Sequence, residues 1–423
     1  MKQAQNKPHA QTPKVYVKEP KRPAPTKFLP VEHLDKIGET ALYYGFAPVK
    51  SPAIEKVDLD AAKGLVEGDY VDDETETHSK LPLRVEEKIA LIRTYQEQNW
   101  ISGAQPVMLY LKDPCRGATH NKKTGYHRYA DLEILGPSGP IAEATLIQAG
   151  RAMLAEEGFT DTRVEINSVG DKDSIAKWAR ELASYYRKNI NEMTADDRQR
   201  FKRDPFELLA SREDSCRELN SHAPRSMDFL SEESRRHLEE VLEYLETLKI
   251  PYSLNNALIG NRSYCSDTIF TLVDADHAIL GVGVRYNGLA KKLGMKKDVQ
   301  GVGLSLVIKG KDKKLRDAVK KVKRPIASFV QLGIESKLLS LNVVESLRLA
   351  SIPLYLSLAK DRLGAQVSNV EKYHTPYVIV IGKKEAMDKT AIVRKVDTYS
   401  QEVVPIDQLP EYMKKVEKGL WKK

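Results

Sequence analysis

The order of strand-like and helix-like segments changes near residue 325, and this change constrains the fold more than any other feature of the sequence. Before it, strand patterns over 267–273 and 278–285 flank a short turn at 274–277, which predicts an antiparallel hairpin. After it, strands at 327–332, 352–357, 377–381 and 391–395 are interrupted by helical patterns at 336–350 and 358–363, with a last helix near the end. Such alternation favours a small α/β unit with a mainly parallel sheet.

The remaining apolar patterns predict further elements upstream of residue 325. Residues 173–248 read as mostly helical, and Ser231 is the predicted N-cap of the clearest helix, with Glu232 and Glu233 suited to its first turn. Its apolar stripe is typical of a core face. We also predict helices at 31–44, 83–100 and 142–157, and strands at 106–111, 129–135, 163–167 and 302–308.

Size and composition narrow the classes of protein. The chain has 423 residues, 41% of them apolar, which suggests two or three domains. No apolar run approaches the ~18 residues that a membrane helix needs, and residues 1–10 lack the apolar segment of a secretion signal. The three cysteines form no CxxC pair, so we expect neither a zinc site nor a disulfide framework, and a reducing cytoplasmic setting.

The charge of the chain suggests a polyanionic partner. Its formal net charge is +8, and residues 1–30 combine many prolines and lysines with almost no apolar periodicity, so we expect a disordered basic arm. That arm is either a passive solvated tail or a segment that seeks phosphates. The acidic stretch at 67–76 is interpreted as a solvated loop, with metal binding as a minor alternative.

Several segments, in this order, resemble the histidyl-tRNA synthetase family of class II. Residues 44–52 are similar to class II motif 1, 83–88 to the family's L-R-P-E-G-T, 164–171 to E-I-N-S-L-G-D, and 283–289 to G-G-R-Y-D-G-L. Further likenesses are an insertion segment at 203–211 and an anticodon-domain pattern at 377–383 followed by Gln401. Each match is weak alone, and their joint order is the strong signal.

The resemblance implies a fold, domains and partners. We expect an α+β protein whose class II antiparallel sheet is flanked by helices, in a core at 31–325 with a helical insertion at about 172–250. An anticodon-binding-type α/β domain would follow at 326–423. The implied partners are tRNA or another RNA and a second copy of the chain, and the implied cofactor is ATP with magnesium, although the departures described below put ATP in doubt. No structural metal and no membrane association are expected.

The resemblance also implies a pocket for ATP and an amino acid. Its expected residues are Glu86, Arg116, Glu133, Tyr264, Arg285 and Tyr286. Glu86 and Glu133 match the two carboxylates that recognise the amino group, and either could instead be a surface acid. Arg116 falls on the motif 2 arginine if its loop is one residue shorter than usual, or it is an ordinary loop arginine. Arg262 is a possible substitute for a missing arginine.

Departures from the family pattern fall on the residues that carry its chemistry. The arginine expected in R-G-L-D-Y-Y is Gly260, the arginine that closes motif 3 is Gly310, and the threonine expected after Glu86 is Lys88. A tyrosine is replaced by Cys265 and an aspartate by Asn287. Adenylate formation develops negative charge, and the loss of one preorganised donor costs about 100- to 1,000-fold. We therefore expect impaired histidine activation.

Three functions stay open from the sequence. The first is an impaired paralogue that binds tRNA or another RNA through the retained C-terminal domain. The second is an active histidine–tRNA ligase in which Arg116, Arg262 and Lys309 cover the lost arginines. The third is a regulatory subunit of histidine biosynthesis, which the presence of the C-terminal domain disfavours.

Overall fold

A computed structural model describes residues 34–65, 85–112, 127–136, 138–211, 213–309, 325–356 and 374–420, together with residues 358, 366 and 370. Several sequence predictions lie outside these residues. They are the basic arm at 1–30, the acidic stretch at 67–76, the loop that carries Arg116, the residue Gly310, and most of the helix predicted at 358–363.

The described elements follow the predicted order closely. The helices are α1 Lys36–Tyr43, α2 Lys56–Lys63, α3 Val85–Glu97, α4 Ile141–Glu156, α5 Lys172–Lys188, α6 Ala195–Arg203, α7 Pro205–Leu209, α8 Asp214–Ser221, α9 Glu232–Thr247, α10 Leu289–Lys292, α11 Ile334–Leu349, α12 Lys383–Asp388 and α13 Leu409–Leu420. The strands are β1 Ala47–Val49, β2 Val107–Lys112, β3 His127–Leu135, β4 Arg163–Ser168, β5 Tyr252–Leu254, β6 Ser266–Val273, β7 Ile279–Arg285, β8 Gly301–Lys309, β9 Ala327–Gln331, β10 Leu354–Leu356, β11 Tyr377–Ile381, β12 Thr390–Lys395 and β13 Gln401–Pro405.

The larger sheet has eight strands in the order β1-β2-β3-β8-β7-β6-β4-β5. Its central pairings are antiparallel, and only the edge pairs β1–β2 and β4–β5 are parallel. The predicted hairpin is confirmed, since β6 and β7 pair and the backbone N–H of Asp274 donates to the carbonyl of Ala278 over 3.1 Å. The protein is α+β, with this antiparallel-rich sheet flanked by helices, as expected.

Two separate apolar cores cover the two faces of this sheet. One face packs on α1, α4 and α9, with Leu304 and Leu306 of β8 pointing into that core. The other packs on α3 and the helices from α5 to α8, with Val307 of β8 in its core. Because successive strand residues point to opposite faces, the central strands β2, β3, β6, β7 and β8 contribute to both cores.

The insertion is helical from α5 to α9, as the sequence indicated. Ser231 caps α9 by accepting from the backbone N–H of Ser234 over 3.3 Å, which confirms the predicted N-cap. Within the part of the chain that the structure describes, no helix is both long enough and apolar enough to cross a bilayer.

The smaller sheet, in the order β10-β9-β11-β12-β13, corrects one prediction. Its pairings β10–β9 and β9–β11 are parallel, whereas β11–β12 and β12–β13 are antiparallel, so the sheet is mixed rather than mainly parallel. The prediction failed because β13, with the partly polar sequence Gln401–Pro405, gives a weak strand pattern.

Helix α11 joins the smaller sheet to the first core. Leu341, Val343, Val344 and Leu347 of this helix share the apolar core that contains α1 and α4. Arg348 makes two hydrogen bonds to Glu345, at 2.8 and 2.9 Å, and reaches Glu156 at 3.2 Å, while the phenol of Tyr44 donates to Glu345. The two sheets therefore share one continuous apolar core.

Candidate functional site

A buried ion pair lies at the centre of the larger sheet. The ammonium of Lys88, on α3, lies 3.2 Å from Oε1 of Glu133, on β3, and the two side chains are 2% and 0% exposed. A charged pair withdrawn from water in this way costs several kcal/mol per ion, which the mutual attraction must offset. Such a buried pair therefore needs further hydrogen-bond or charge partners to offset its loss of solvation.

Tyr286 completes the cluster that we call the ammonium site: Lys88, Glu133 and Tyr286. Its phenol donates to Oε2 of Glu133 over 2.5 Å, and the ammonium of Lys88 lies 4.3 Å from the centre of its ring. A cation over an aromatic face is attracted by the ring's quadrupole. Burial, followed by the Glu133 carboxylate, raises the pKa of Tyr286 well above its ordinary value, which keeps the phenol protonated as a donor.

Two glycines of β8 make room for this cluster. A Cβ added at Gly303, which faces Glu133 across the β3–β8 ladder, would lie 2.3 Å from the Glu133 carboxylate oxygens. A Cβ at Gly301 would lie 2.2 Å from the ring of Tyr286. These approaches are closer than any side chain allows, so the strand is shaped around the carboxylate and the phenol.

The local sequence of α3 decides which of its residues meets Glu133. The family pattern P-E-G-T carries two poor helix formers, whereas this chain has Val85, Glu86, Glu87 and Lys88 and forms a helix from Val85. Residues two apart on a helix do not share a face. Lys88 meets Glu133, while Glu86 lines a groove of about 500 Å³ beside α2. The structure does not join the two expected carboxylates.

A second buried cluster, on the opposite face of the sheet, holds Arg285. Its guanidinium binds both carboxylate oxygens of Glu143 on α4, each at 2.6 Å, and the two side chains are 1% and 0% exposed. His237 of α9 lies 2.7 Å from Oε1 of the same carboxylate. Burial raises the pKa of Glu143, but the charges of Arg285 and His237 outweigh burial and lower it far below its ordinary value.

The segment around Gly260 holds the other site residues. Gly260 has a φ of +65°, and a Cβ there would lie 2.8 Å from Cδ1 of Ile269, so an arginine at this position would be strained. Arg262 does not extend back toward the ammonium site, because its guanidinium binds Asp204 and lies 4.5 Å from the ring centre of Phe206. Tyr264 is buried.

Two arginines near the expected pocket, Arg262 and Arg285, are described by the structure. Arg262 and Arg285 are each engaged by a carboxylate of the protein. Arg116 and the side chain of Lys309, like Gly310, lie outside the described residues. Among the residues that the structure describes, no three His, Cys, Asp or Glu side chains are grouped to hold a metal ion. The phosphates of ATP would have to compete with Asp204 and Glu143 for the guanidinium groups of Arg262 and Arg285.

Sequence reasoning missed several partners in these clusters. Lys88 was recognised only as a departure from the family, and Glu143, His237, Asp204 and Phe206 were not singled out. One signal was present for Glu143, which is the only charged residue in the largely apolar first half of helix α4. A lone buried acid needs a cation, and that requirement alone would have prompted a search for its partner.

Comparisons with known proteins find similarity over most of the chain. Residues 330–416 match the family model described as the anticodon binding domain. A histidine–tRNA ligase of Symbiobacterium thermophilum is 26% identical over 400 residues, covering 90% of this chain and 92% of the relative. That of Fervidobacterium nodosum is 27% identical, covering 86% and 90%.

Solved structures give weaker likenesses. Apo histidyl-tRNA synthetase of S. aureus has 22% identity and a TM-score of 0.47, covering 89% of this chain and 93% of that one. The structure described as an ATP phosphoribosyltransferase regulatory subunit/histidyl-tRNA synthetase from Bacillus halodurans C has 15% identity and a TM-score of 0.42, covering 82% and 92%.

The domain match and the near full-length relatives identify the class. The protein is of the class II aminoacyl-tRNA synthetase type. Within that class, it is a histidyl-tRNA synthetase-like protein with an anticodon-binding domain in its C-terminal part.

Proposed function

We propose that this protein binds tRNA, or an RNA with similar features, and is impaired in histidine activation. The observation that carries the proposal is the match of residues 330–416 to an anticodon binding domain, together with the five-stranded sheet found there. The net charge of +8 supports a polyanionic partner. We expect the protein to act as a homodimer in the cytoplasm.

The impairment is supported by the groups around the expected pocket. Gly260 replaces an arginine, and Arg262, the nearest substitute, binds Asp204 instead. Lys88 puts a positive charge against Glu133, a carboxylate expected to recognise the substrate's amino group. Each missing donor to developing negative charge would cost about 100- to 1,000-fold in rate.

Salt-dependent RNA binding tests the first half of the proposal. The full chain is titrated with histidine-accepting tRNA over a series of salt concentrations. Each phosphate that the protein neutralises releases bound counterions and makes the slope of log affinity against log salt more negative, by about 0.7 for a single strand and about 0.9 for B-form DNA. Binding that is absent at low salt, or that ignores salt, contradicts the proposal.

A matched pair of variants locates the RNA-binding region. Replacement of the exposed Lys384, Lys389 and Lys414 by alanine is expected to weaken binding and flatten the salt slope. The same replacement of the exposed lysines Lys172, Lys177 and Lys188, which lie on α5 outside the anticodon-binding region, removes equal charge and serves as the control. Equal losses from both sets would contradict a specific role of the anticodon-binding region.

The second candidate is an active histidine–tRNA ligase. The relatives named as histidine–tRNA ligases match about 90% of this chain, which favours it. Histidine-dependent exchange of pyrophosphate into ATP with magnesium, measured beside the ligase of Symbiobacterium thermophilum, separates the two candidates. We expect no exchange, or exchange reduced by at least about 100-fold; exchange equal to that of the comparison enzyme would establish the ligase.

A further inference from the structure

The ammonium site has the chemistry of a receptor for a primary ammonium ion. It offers the carboxylate of Glu133, the face of the Tyr286 ring, and a wall of β8 that lacks side chains at Gly301 and Gly303. A carboxylate and an aromatic face together recognise an alkylammonium by charge, hydrogen bonding and cation–π attraction. In this structure the ammonium that fills the site belongs to Lys88.

The contacts of Lys88 are those of an occupant rather than of a designed ion pair. Its ammonium makes one contact with Glu133, at 3.2 Å, which is long for a charged hydrogen bond. The second carboxylate oxygen is held by Tyr286 over 2.5 Å, independently of the lysine. The carboxylate is therefore positioned by its own strand and by Tyr286, and the lysine side chain reaches it from a different element.

We propose that Lys88 is an internal ligand that fills an ammonium-binding site, so that removal of its side chain opens a site for a small primary alkylammonium ion. This inference deepens the proposed impairment of histidine activation, because the protein's own cation occupies the group that would hold a substrate's ammonium. The Lys88 side chain can therefore be removed while Glu133 and Tyr286 keep their places.

Chemical rescue of a truncated variant tests whether Lys88 acts as an internal ligand. Lys88→Ala removes four side-chain atoms beyond Cβ, namely three carbons and the nitrogen, and n-propylammonium chloride supplies an ammonium on a three-carbon chain that matches them. We expect the salt to raise the midpoint of thermal unfolding of Lys88→Ala by about 2 °C or more, saturating with concentration. Equal concentrations of sodium chloride or tetramethylammonium chloride should give no saturable rise, and the wild type should not respond to n-propylammonium.

Two variants control for packing and charge. Lys88→Met fills the space with a neutral chain and should show no rescue. Lys88→Ala combined with Glu133→Gln keeps the cavity without its charge, and should also show none. Rescue of either control, an equal response of the wild type, or no rescue of a folded Lys88→Ala overturns the proposal.

A second measurement covers the case in which Lys88→Ala does not fold. If Glu133 needs an ammonium, Glu133→Gln should restore stability to Lys88→Met, whereas the same substitution should destabilise the wild type. A destabilising effect of Glu133→Gln in both backgrounds contradicts the inference. RNA affinity and pyrophosphate exchange are measured separately. A negative result for chemical rescue therefore does not contradict the proposed RNA binding.

Discussion

Two buried ion pairs lie on opposite faces of the same sheet, and they differ in geometry although Arg285 and Tyr286 are neighbours in the chain. Arg285 binds both oxygens of Glu143, at 2.6 Å each, with His237 alongside. Lys88 makes a single contact of 3.2 Å with Glu133. A planar fork on a carboxylate fixes its partner rigidly, whereas an ammonium is a point charge that another ammonium can replace.

The difference separates structural charge from charge that resembles a bound ligand. The Arg285 pair joins β7 to α4 and α9, and both carboxylate oxygens of Glu143 are bound by cationic side chains of the protein. In the ammonium site, Glu133 and Tyr286 hold each other, and Lys88 adds the charge that balances them. The two pairs should therefore respond differently to the same kind of substitution.

The largest effect is expected from Arg285→Met. It leaves the carboxylate of Glu143 buried beside only His237, and breaking a buried pair in this way costs about 3–5 kcal/mol of the free energy of unfolding. Urea denaturation measures the loss. Glu143→Gln added to Arg285→Met removes the stranded charge and should recover part of it. A loss under about 1 kcal/mol would mean that the pair is not structural.

The geometry of these clusters shows what the sequence could predict. The hairpin of β6 and β7, the Ser231 cap and the helices of the insertion follow from local patterns, because each depends on neighbouring residues. The partner of Lys88 is 45 residues away and that of Arg285 is 142 residues away, so no local pattern reveals them. The resemblance to a family pointed to Glu133 and Tyr286, but it could not show that Lys88 would reach them.

A smaller loss is expected from Lys88→Met. Glu133 then keeps its hydrogen bond from Tyr286, so we expect a loss of about 2 kcal/mol in urea denaturation, below that of Arg285→Met. The comparison of the two losses is the test, because it uses one residue type as the replacement on both faces. A larger loss for Lys88→Met than for Arg285→Met would show that the Lys88 ion pair contributes more to stability than the Arg285 ion pair.

A comparable or smaller loss is expected from Gly303→Ala, which pushes a methyl group toward the Glu133 carboxylate. We expect about 1–3 kcal/mol from overpacking, and weaker n-propylammonium rescue when the change is added to Lys88→Ala. Gly281→Ala is the matched control, since its Cβ would lie 2.6 Å from Cδ2 of Leu306 on the opposite face. It should destabilise the protein without affecting rescue, and a loss of rescue there would contradict the separation of the two faces.

The smallest effects are expected in the dependence of stability on pH, where the two clusters act at opposite ends of the range. The pKa of Glu143 is lowered in the folded state, so its contribution is complete above the ordinary glutamate value of about 4.3 and is lost as the pH falls below it. The pKa of Tyr286 is raised, so its contribution is complete below the ordinary tyrosine value of about 10 and is lost as the pH rises above it.

Variants assign these two limbs. Thermal unfolding from pH 3 to 11 should show a shallower acid limb in Glu143→Gln and a shallower alkaline limb in Tyr286→Phe, each relative to the wild type. Other buried tyrosines, such as Tyr186, share the alkaline limb, so Tyr286→Phe should reduce it without abolishing it. If Tyr286→Phe leaves the alkaline part of the stability profile unchanged, the Tyr286 phenol does not donate a stabilising hydrogen bond to Glu133. Glu133 would then lack its second partner, and Lys88 would be a structural cation like Arg285.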